Sequence, residues 1–188
     1  MFVALVPPDS ALEHLSEFLA PRQAAEPTFR WTAREQWHVT LAFMADVAER
    51  NLGDLTERLA RAAARRPPLA LSLHAGGAFP DATRAKVLFA GVDAATSAEE
   101  LRRLSTGTRS AAAKAGAAPG GGRFHPHVTL ARLRAPVDAT RWVRIVAGYR
   151  GPGWGAGEMA LVESHLGQGP RRRPRYTVVE TFPLGARA

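Results

Sequence analysis

The sequence predicts an α+β fold with two lobes, in which two antiparallel-rich sheets with outer helices are related by an approximate two-fold axis and enclose a cleft. Strand-like and helical segments follow one another in a similar order in each half of the chain. The segment His-Val-Thr-Leu-Ala also occurs twice, at residues 38–42 and 127–131. Since the chain has 188 residues and no long linker, we expect a single domain over residues 1–188.

Eight segments predict strands because they are apolar or alternate between apolar and polar residues, and turn residues bound most of them. Residues 69–79 alternate until the chain reaches a pair of glycines, and residues 86–92 are apolar almost throughout. The predicted strands span residues 2–7, 28–31, 37–43, 69–79, 86–92, 127–133, about 157–164 and about 175–182.

Four segments predict helices because their apolar residues recur every three or four positions. Asp9 or Ser10 is expected to cap the first helix, and Pro21 is expected to end it. Thr96 or Ser97 is expected to open the third helix. The predicted helices span residues 9–20, 48–65, 96–116 and about 138–148.

The composition describes a basic chain without cysteine. Its 25 Lys and Arg residues against 17 Asp and Glu residues give a net charge of +8, which favours a polyanionic partner such as nucleic acid. A GC-rich genome that enriches Arg, Ala, Gly and Pro together would give the same balance, so both explanations stay open. The absence of cysteine excludes disulfides and thiolate metal sites. No apolar run is long enough to span a membrane, and we expect a cytoplasmic monomer.

The repeated segment has the pattern of a strand that separates a core from a cleft. Side chains two positions apart in a strand lie on the same face, so His38 and Thr40 share one face and His127 and Thr129 share another. The residues between them are expected to fill the core. Strict alternation assigns Val39, Leu41, Phe43, Val128 and Leu130 to the core face, and Ala42 and Ala131 to the polar face.

Two such strands facing each other would bring two imidazoles and two hydroxyls around one small volume. One neutral histidine could take a proton from an attacking water while the other, protonated, gave a proton to the departing oxygen. The threonine hydroxyls could bind phosphoryl oxygens. This set suits phosphodiester chemistry and requires neither a metal nor another cofactor.

Two other interpretations compete with this one. A single His-x-Thr on a strand is usually a half-buried structural pair, and it is the second copy that favours a site. His125 and His127, separated by one proline, could also bind zinc. The chain offers no third ligand at a convincing spacing and no glutamate beside either histidine in a metallohydrolase pattern. We therefore expect no metal site.

The segments HVTLAF at 38–43 and HPHVTLAR at 125–132 resemble the paired motifs of the 2H phosphoesterase superfamily, and most closely the RNA 2′,3′-cyclic phosphodiesterases, historically called 2′-5′ RNA ligases. The resemblance extends to FVALVPPDSALEHL, to GGAFPDATRAKVLFAGV and to the final segment with Ser164, Gly169 and Tyr176. Departures are modest: Met44-Ala45 stands where the family usually has Leu-Gly, and Phe89 where it often has Trp.

The resemblance implies a bilobal fold in which His38 and His127 are the acid and base, and Thr40 and Thr129 bind phosphate. It also implies that Arg132 holds the nucleotide, although strict alternation would place this side chain on the core side. The implied activity opens 2′,3′-cyclic phosphates at RNA ends to a 2′-phosphomonoester.

Other functions are also compatible with the sequence. The substrate could be another cyclic phosphate or a 2′-5′ linked oligonucleotide, the chain could ligate RNA, or it could be a non-catalytic RNA-binding module. Residues 171–173 are three consecutive arginines in a loop bounded by glycine and proline. They form either a solvated loop or a mobile rim that catches the RNA backbone.

Overall fold

Two antiparallel sheets and four α-helices make up the computed structural model, which describes residues 1–169 and 173–186. The helices are α1 (Asp9–Ala25), α2 (Leu52–Ala64), α3 (Ala98–Lys114) and α4 (Thr140–Ala147). The strands are β1 (Phe2–Leu5), β2 (Arg30–Trp31), β3 (Val39–Phe43), β4 (Leu69–Phe79), β5 (Ala85–Asp93), β6 (His127–Val137), β7 (Arg150–Ala156), β8 (Glu158–His165) and β9 (Arg175–Pro183).

The strands form a four-stranded sheet in the order β3-β1-β8-β9 and a five-stranded sheet in the order β2-β6-β5-β4-β7. Helices α2 and α3 pack on the first sheet, against β9 and β3, whereas α1 and α4 pack on the second, against β7 and β4. The predicted α+β fold with two antiparallel sheets and outer helices is therefore confirmed. Each sheet contains strands from both halves of the chain. Strands β8 and β9 join β1 and β3 in the first sheet, and β6 and β7 join β2, β4 and β5 in the second.

The core joins the two sheets. Buried residues of both sheets and all four helices belong to one apolar cluster. Val39 and Leu41 of β3 and Val128 and Leu130 of β6 are all at most 2% exposed, as the repeated pattern predicts. Full burial of such a side chain contributes about 1.5–3 kcal/mol to the stability of the fold. The apolar faces of β3 and β6 therefore anchor both motif strands to the core.

The seven-residue strand β7 was not predicted from the sequence. Its residues, RGPGWGA, include three glycines and a proline, which are poor strand formers. It pairs only with β4, at the edge of the five-stranded sheet, where proline is tolerated because no further strand needs its missing N–H. Tertiary pairing, rather than local preference, makes this segment a strand.

The predicted helix ends need three corrections. Helix α1 passes through Pro21 and ends at Ala25, because an exposed proline close to the end of a helix removes only one intrahelical hydrogen bond. The residue before α1 is Pro8, and no side chain in the described part of the chain caps this helix. Ser97 precedes α3 without capping it; its hydroxyl instead accepts a hydrogen bond from the Ala70 N–H at 3.0 Å.

Strand β6 is also longer than the sequence pattern predicts. It continues to Val137, four residues beyond its predicted end. No helix in residues 1–169 and 173–186 is long and apolar enough to cross a membrane.

Candidate active site

A cavity of about 440 Å³, called the cleft from here on, lies between the two sheets. It is lined by residues of β1, β3, β8 and β9 on one side and of β2 and β6 on the other, together with the segments that flank them. The structure brings all five of the sequence-predicted site residues to the cleft: His38, Thr40, His127, Thr129 and Arg132.

Both motif strands carry an irregularity at the same position of the repeat. The pairing register shifts by one residue where β3 meets β1, and shifts again where β6 meets β5. The residue left without a partner is Leu41 in the first case and Leu130 in the second. Such a bulge inserts one extra residue and so reverses the side-chain alternation beyond it. The two repeats therefore share their backbone course as well as their residues.

The structure also satisfies the carbonyl groups of the two bulged leucines. The buried Ser105 hydroxyl of α3 donates to the Leu41 carbonyl oxygen at 2.8 Å. The Thr32 N–H, just after β2, donates to the Leu130 carbonyl oxygen at 2.8 Å. Since an unpaired buried carbonyl is costly, these two hydrogen bonds support the bulges.

The bulges overturn the predicted orientation of the residues that follow them. Ala42 and Ala131 were expected on the polar face, but they are only 3% and 0% exposed and lie in the core. Phe43 was expected in the core, but it is 54% exposed and lines the cleft. Arg132 reaches the cleft for the same reason. Strict alternation predicted a core position for Arg132, and this prediction was wrong because the bulge turns the side chain towards the cleft.

The two site histidines are held in the same way. The Nδ1 atom of His38 lies 2.7 Å from the Gln36 carbonyl oxygen, and that of His127 lies 2.7 Å from the His125 carbonyl oxygen. A carbonyl oxygen can only accept, so Nδ1 carries the proton and donates in both residues. In the neutral ring, Nε2 is then the basic nitrogen. Each imidazole thus has its Nε2 atom left for chemistry.

Aromatic rings pack around both imidazoles. The His38 ring stacks on Phe2 with centroids 4.4 Å apart and meets the edge of Tyr176 at 5.5 Å. The His127 ring makes edge contacts with Phe79 at 5.0 Å and with Phe89 at 5.3 Å. These contacts fix the ring planes and exclude water from one side of each imidazole.

Burial dominates the electrostatics of the two histidines. It lowers the pKa of His38 to about 4, opposed by the hydrogen bond to Gln36 and reinforced by the charges of His127 and Arg132. Burial likewise lowers the pKa of His127, opposed by its bond to the His125 carbonyl. Both imidazoles are therefore neutral near pH 7 in the free protein, and a bound anion would favour their protonation.

The remaining lining residues suit an anionic nucleotide. Three arginines, Arg30, Arg132 and Arg173, line the cleft, and none of the described residues that line it is acidic. Burial raises the pKa of the Tyr176 phenol, which therefore remains a hydroxyl. The exposed ring of Phe43 offers a stacking surface for a base. Sequence reasoning missed Arg30 and the cleft-facing position of Phe43, because each depends on pairing with a distant strand.

The loop between β8 and β9 borders the cleft and is tied to the His38 segment. The Gln36 side chain donates to the Pro174 carbonyl oxygen at 2.7 Å, and the Gly169 N–H donates to the Arg173 carbonyl oxygen at 2.7 Å. Of the three arginines in this loop, only Arg173 is described, and it lines the cleft. Residues 171 and 172, on which the rim hypothesis also depends, lie outside the described residues.

His125 lies beside the site. Its ring centroid is 6.1 Å from that of His127, and it is not among the residues that line the cleft. Within the part of the chain that the structure describes, no cluster of three or more His, Cys, Asp or Glu residues could hold a metal ion.

Comparisons with known proteins identify relatives of this chain. A family model described as the 2′-5′ RNA ligase superfamily matches residues 6–168. A protein named RNA 2′,3′-cyclic phosphodiesterase from Aquifex aeolicus is 31% identical over 160 residues, which cover 83% of this chain and 82% of that protein. One of the same name from Geobacillus stearothermophilus is 27% identical over 186 residues, which cover 97% of this chain. That relative is longer, and this chain spans 56% of its length.

The fold is also found among solved structures. A crystal structure of a Thermus thermophilus protein matches with a TM-score of 0.78 at 29% identity, covering 100% of this chain and 98% of that one. The similarity therefore extends over both sheets and their helices.

Proposed function

The chain belongs to the 2′-5′ RNA ligase superfamily, and we propose that its cleft hydrolyses the 2′,3′-cyclic phosphate at RNA ends to a 2′-phosphomonoester. The observation that carries this proposal is the pair of imidazoles lining one cavity, each with Nδ1 bonded to a backbone carbonyl and Nε2 left for chemistry. The relatives named RNA 2′,3′-cyclic phosphodiesterase support the choice of substrate.

The proposed reaction needs one neutral and one protonated imidazole. The neutral ring takes a proton from water at Nε2 while the water oxygen forms a bond to phosphorus. The bond from phosphorus to the 3′ oxygen breaks, and this oxygen keeps the electron pair and takes the proton of the second imidazole. The products are a 2′-phosphate and a 3′-hydroxyl, and the two rings end with their protonation states exchanged. No step requires a metal ion.

The other cleft residues hold the phosphate during this exchange. The hydroxyls of Thr40 and Thr129 donate to the non-bridging oxygens, and the Arg132 guanidinium offsets their charge. A cyclic phosphate carries one negative charge, which raises the pKa of nearby imidazoles. Substrate binding thus favours protonation of one imidazole, whereas both imidazoles are neutral in the free protein near pH 7.

The direct test is hydrolysis of a nucleoside 2′,3′-cyclic phosphate in excess EDTA, with the 2′- and 3′-phosphate products separated by chromatography. We expect full activity and a 2′-phosphate product. His38→Ala and His127→Ala should each lower kcat by about 100-fold or more, since general acid–base catalysis contributes about 10²–10⁴-fold.

His125→Ala is the matched control because it removes an exposed imidazole two residues from His127 that does not line the cleft. This variant should keep wild-type activity. Loss of all activity in EDTA would refute the metal-free reaction. Undiminished activity of His38→Ala or His127→Ala would refute the assignment of the site.

A further inference from the structure

We propose that Arg30 and Arg132 form a subsite for a second phosphate, namely the phosphodiester on the 5′ side of the terminal nucleotide. This inference rests on the proposed function, because it takes the reacting phosphate to lie between His38 and His127. It adds that the cleft binds an RNA end through two phosphates and not through the cyclic phosphate alone.

The first observation is the direct pairing of two like charges. Arg30 of β2 and Arg132 of β6 are partners across adjacent antiparallel strands, and both line the cleft. Paired residues on neighbouring strands have Cβ atoms only about 4.5–5.5 Å apart, and like charges in this arrangement are destabilising. Such a pair becomes favourable when an anion lies between or above the two guanidinium groups.

The second observation is that no described residue of the protein supplies a counter-charge. Within residues 1–169 and 173–186, neither Arg30 nor Arg132 forms an ion pair. Arg34 lies only four residues after Arg30, and it pairs with Asp9 at 3.2 Å. The two cleft arginines are therefore available to a ligand.

The third observation is the rigid support beneath Arg30. Although β2 has only two residues, the Trp31 ring packs against Phe29 and Trp142, with centroids 5.8 and 5.9 Å away. The Trp31 indole N–H donates to the Glu26 carbonyl oxygen at 2.8 Å. The short strand thus holds the Arg30 backbone in place while its side chain is exposed, which lowers the entropy cost of binding a ligand.

The position of the pair identifies which phosphate it would hold. Arg132 is close enough to both site histidines for its charge to lower their pKa values, so it lies next to the reacting phosphate. Arg30 lies on β2, the strand next to β6, and so is one strand farther from His127. Since the cyclic phosphate ends the RNA chain, the only neighbouring phosphate is the one on the 5′ side of the same nucleotide.

Binding measurements test this subsite without requiring turnover. The probes are adenosine 2′-monophosphate and adenosine 2′,5′-bisphosphate, compared by titration calorimetry at about 50 mM salt, where screening is weak. We expect the bisphosphate to bind about tenfold more tightly or better, the size typical of a hydrogen bond to a charged group. Arg30→Gln should remove most of this advantage, and Arg30→Lys should restore part of it.

Arg141→Gln is the matched control, since it removes an equal charge from an exposed position on α4. It should keep the full advantage of the bisphosphate. Equal affinity of the wild-type protein for the two probes, or an unchanged advantage in Arg30→Gln, would overturn the subsite.

The same proteins are then assayed with adenosine 2′,3′-cyclic phosphate, with and without a 5′-phosphate. Arg30→Gln should lower kcat/KM about tenfold more for the 5′-phosphorylated substrate than for the other. An equal loss on both substrates would contradict the subsite. If the affinity difference holds but neither substrate is hydrolysed, the proposed function fails and the subsite stands. If both substrates are hydrolysed but the affinity difference is absent, the subsite fails and the proposed function stands.

Discussion

Burial of the His38 imidazole predicts that the protein loses stability as the solution is acidified. The pKa of this ring lies at about 4 in the folded protein, chiefly because burial disfavours its charged form. In the unfolded chain, histidine titrates near 6.5. The unfolded state therefore binds the proton more readily, and stability that is present above about pH 6.5 is lost as the pH falls towards 4.

The magnitude follows from the difference between the two pKa values. At about 1.4 kcal/mol per pKa unit, full protonation would remove about 3 kcal/mol, and about 2 kcal/mol of this would be lost by pH 5. This is a large fraction of the 5–15 kcal/mol that typically separates folded from unfolded states. His127 adds to the loss, since its pKa is also lowered.

Urea unfolding at pH 7 and pH 5 measures this effect. The free energy of unfolding of the wild-type protein should fall by about 2 kcal/mol more than that of His38→Asn, which has no imidazole to protonate. Thr40→Ala is the matched control, because it alters the same wall of the cleft and leaves His38 in place. An equal fall in the wild type and His38→Asn, or an NMR titration of His38 with a midpoint near 6.5, would refute the reasoning.

Three further predictions address the cleft and its support. Phe43→Ala should raise KM for oligonucleotide substrates about tenfold with little change in stability, because the ring is 54% exposed and a stacked base contributes about 1–3 kcal/mol; an unchanged KM would exclude stacking. Ser105→Ala should lower the free energy of unfolding by about 1–3 kcal/mol in thermal or urea unfolding, because it leaves the Leu41 carbonyl oxygen without its hydrogen-bond donor. Ser110 is exposed, so Ser110→Ala should have little effect. Binding of sulfate, which does not itself titrate near pH 6, should take up protons, because the anion raises the lowered pKa values of the two histidines. Titration calorimetry should then give a binding enthalpy that depends on the buffer, and equal enthalpies in all buffers would contradict protonation of an imidazole on anion binding.

The repeat was sufficient to predict which side chains reach the cleft before the bulge. His38, Thr40, His127 and Thr129 follow the two-residue period of a strand, and a local pattern of this kind is visible in the sequence. The structure brings these four side chains to one cavity. The apolar residues between them form the core as expected.

Features that depend on a partner strand could not be predicted in the same way. The bulges at Leu41 and Leu130 arise where one residue of β3 and one of β6 have no partner on β1 and β5, and no local signal in the motif marks that position. Strand β7 exists because the edge of β4 is available to pair with it. The pairing of β8 with β1, which adds β8 and β9 to the first sheet, likewise joins strands that are far apart in the sequence. The position of Arg30 also follows from pairing, in this case with β6.

The two repeats differ two residues after the bulged leucine, and this difference has a chemical consequence. Both copies present His and Thr to the cleft in the same order, so the acid–base groups alone are nearly symmetrical. A symmetrical pair of imidazoles cannot determine which ester bond of a cyclic phosphate breaks. Phe43 lies two residues after Leu41 in β3, whereas Arg132 lies two residues after Leu130 in β6, and both line the cleft. An apolar ring on one side and a cation on the other favour the orientation in which a nucleotide has its base near Phe43 and its phosphates near Arg132. In the proposed function, this asymmetry in binding orients the substrate and so selects the oxygen that leaves. The bulges contribute because they turn both residues towards the cleft.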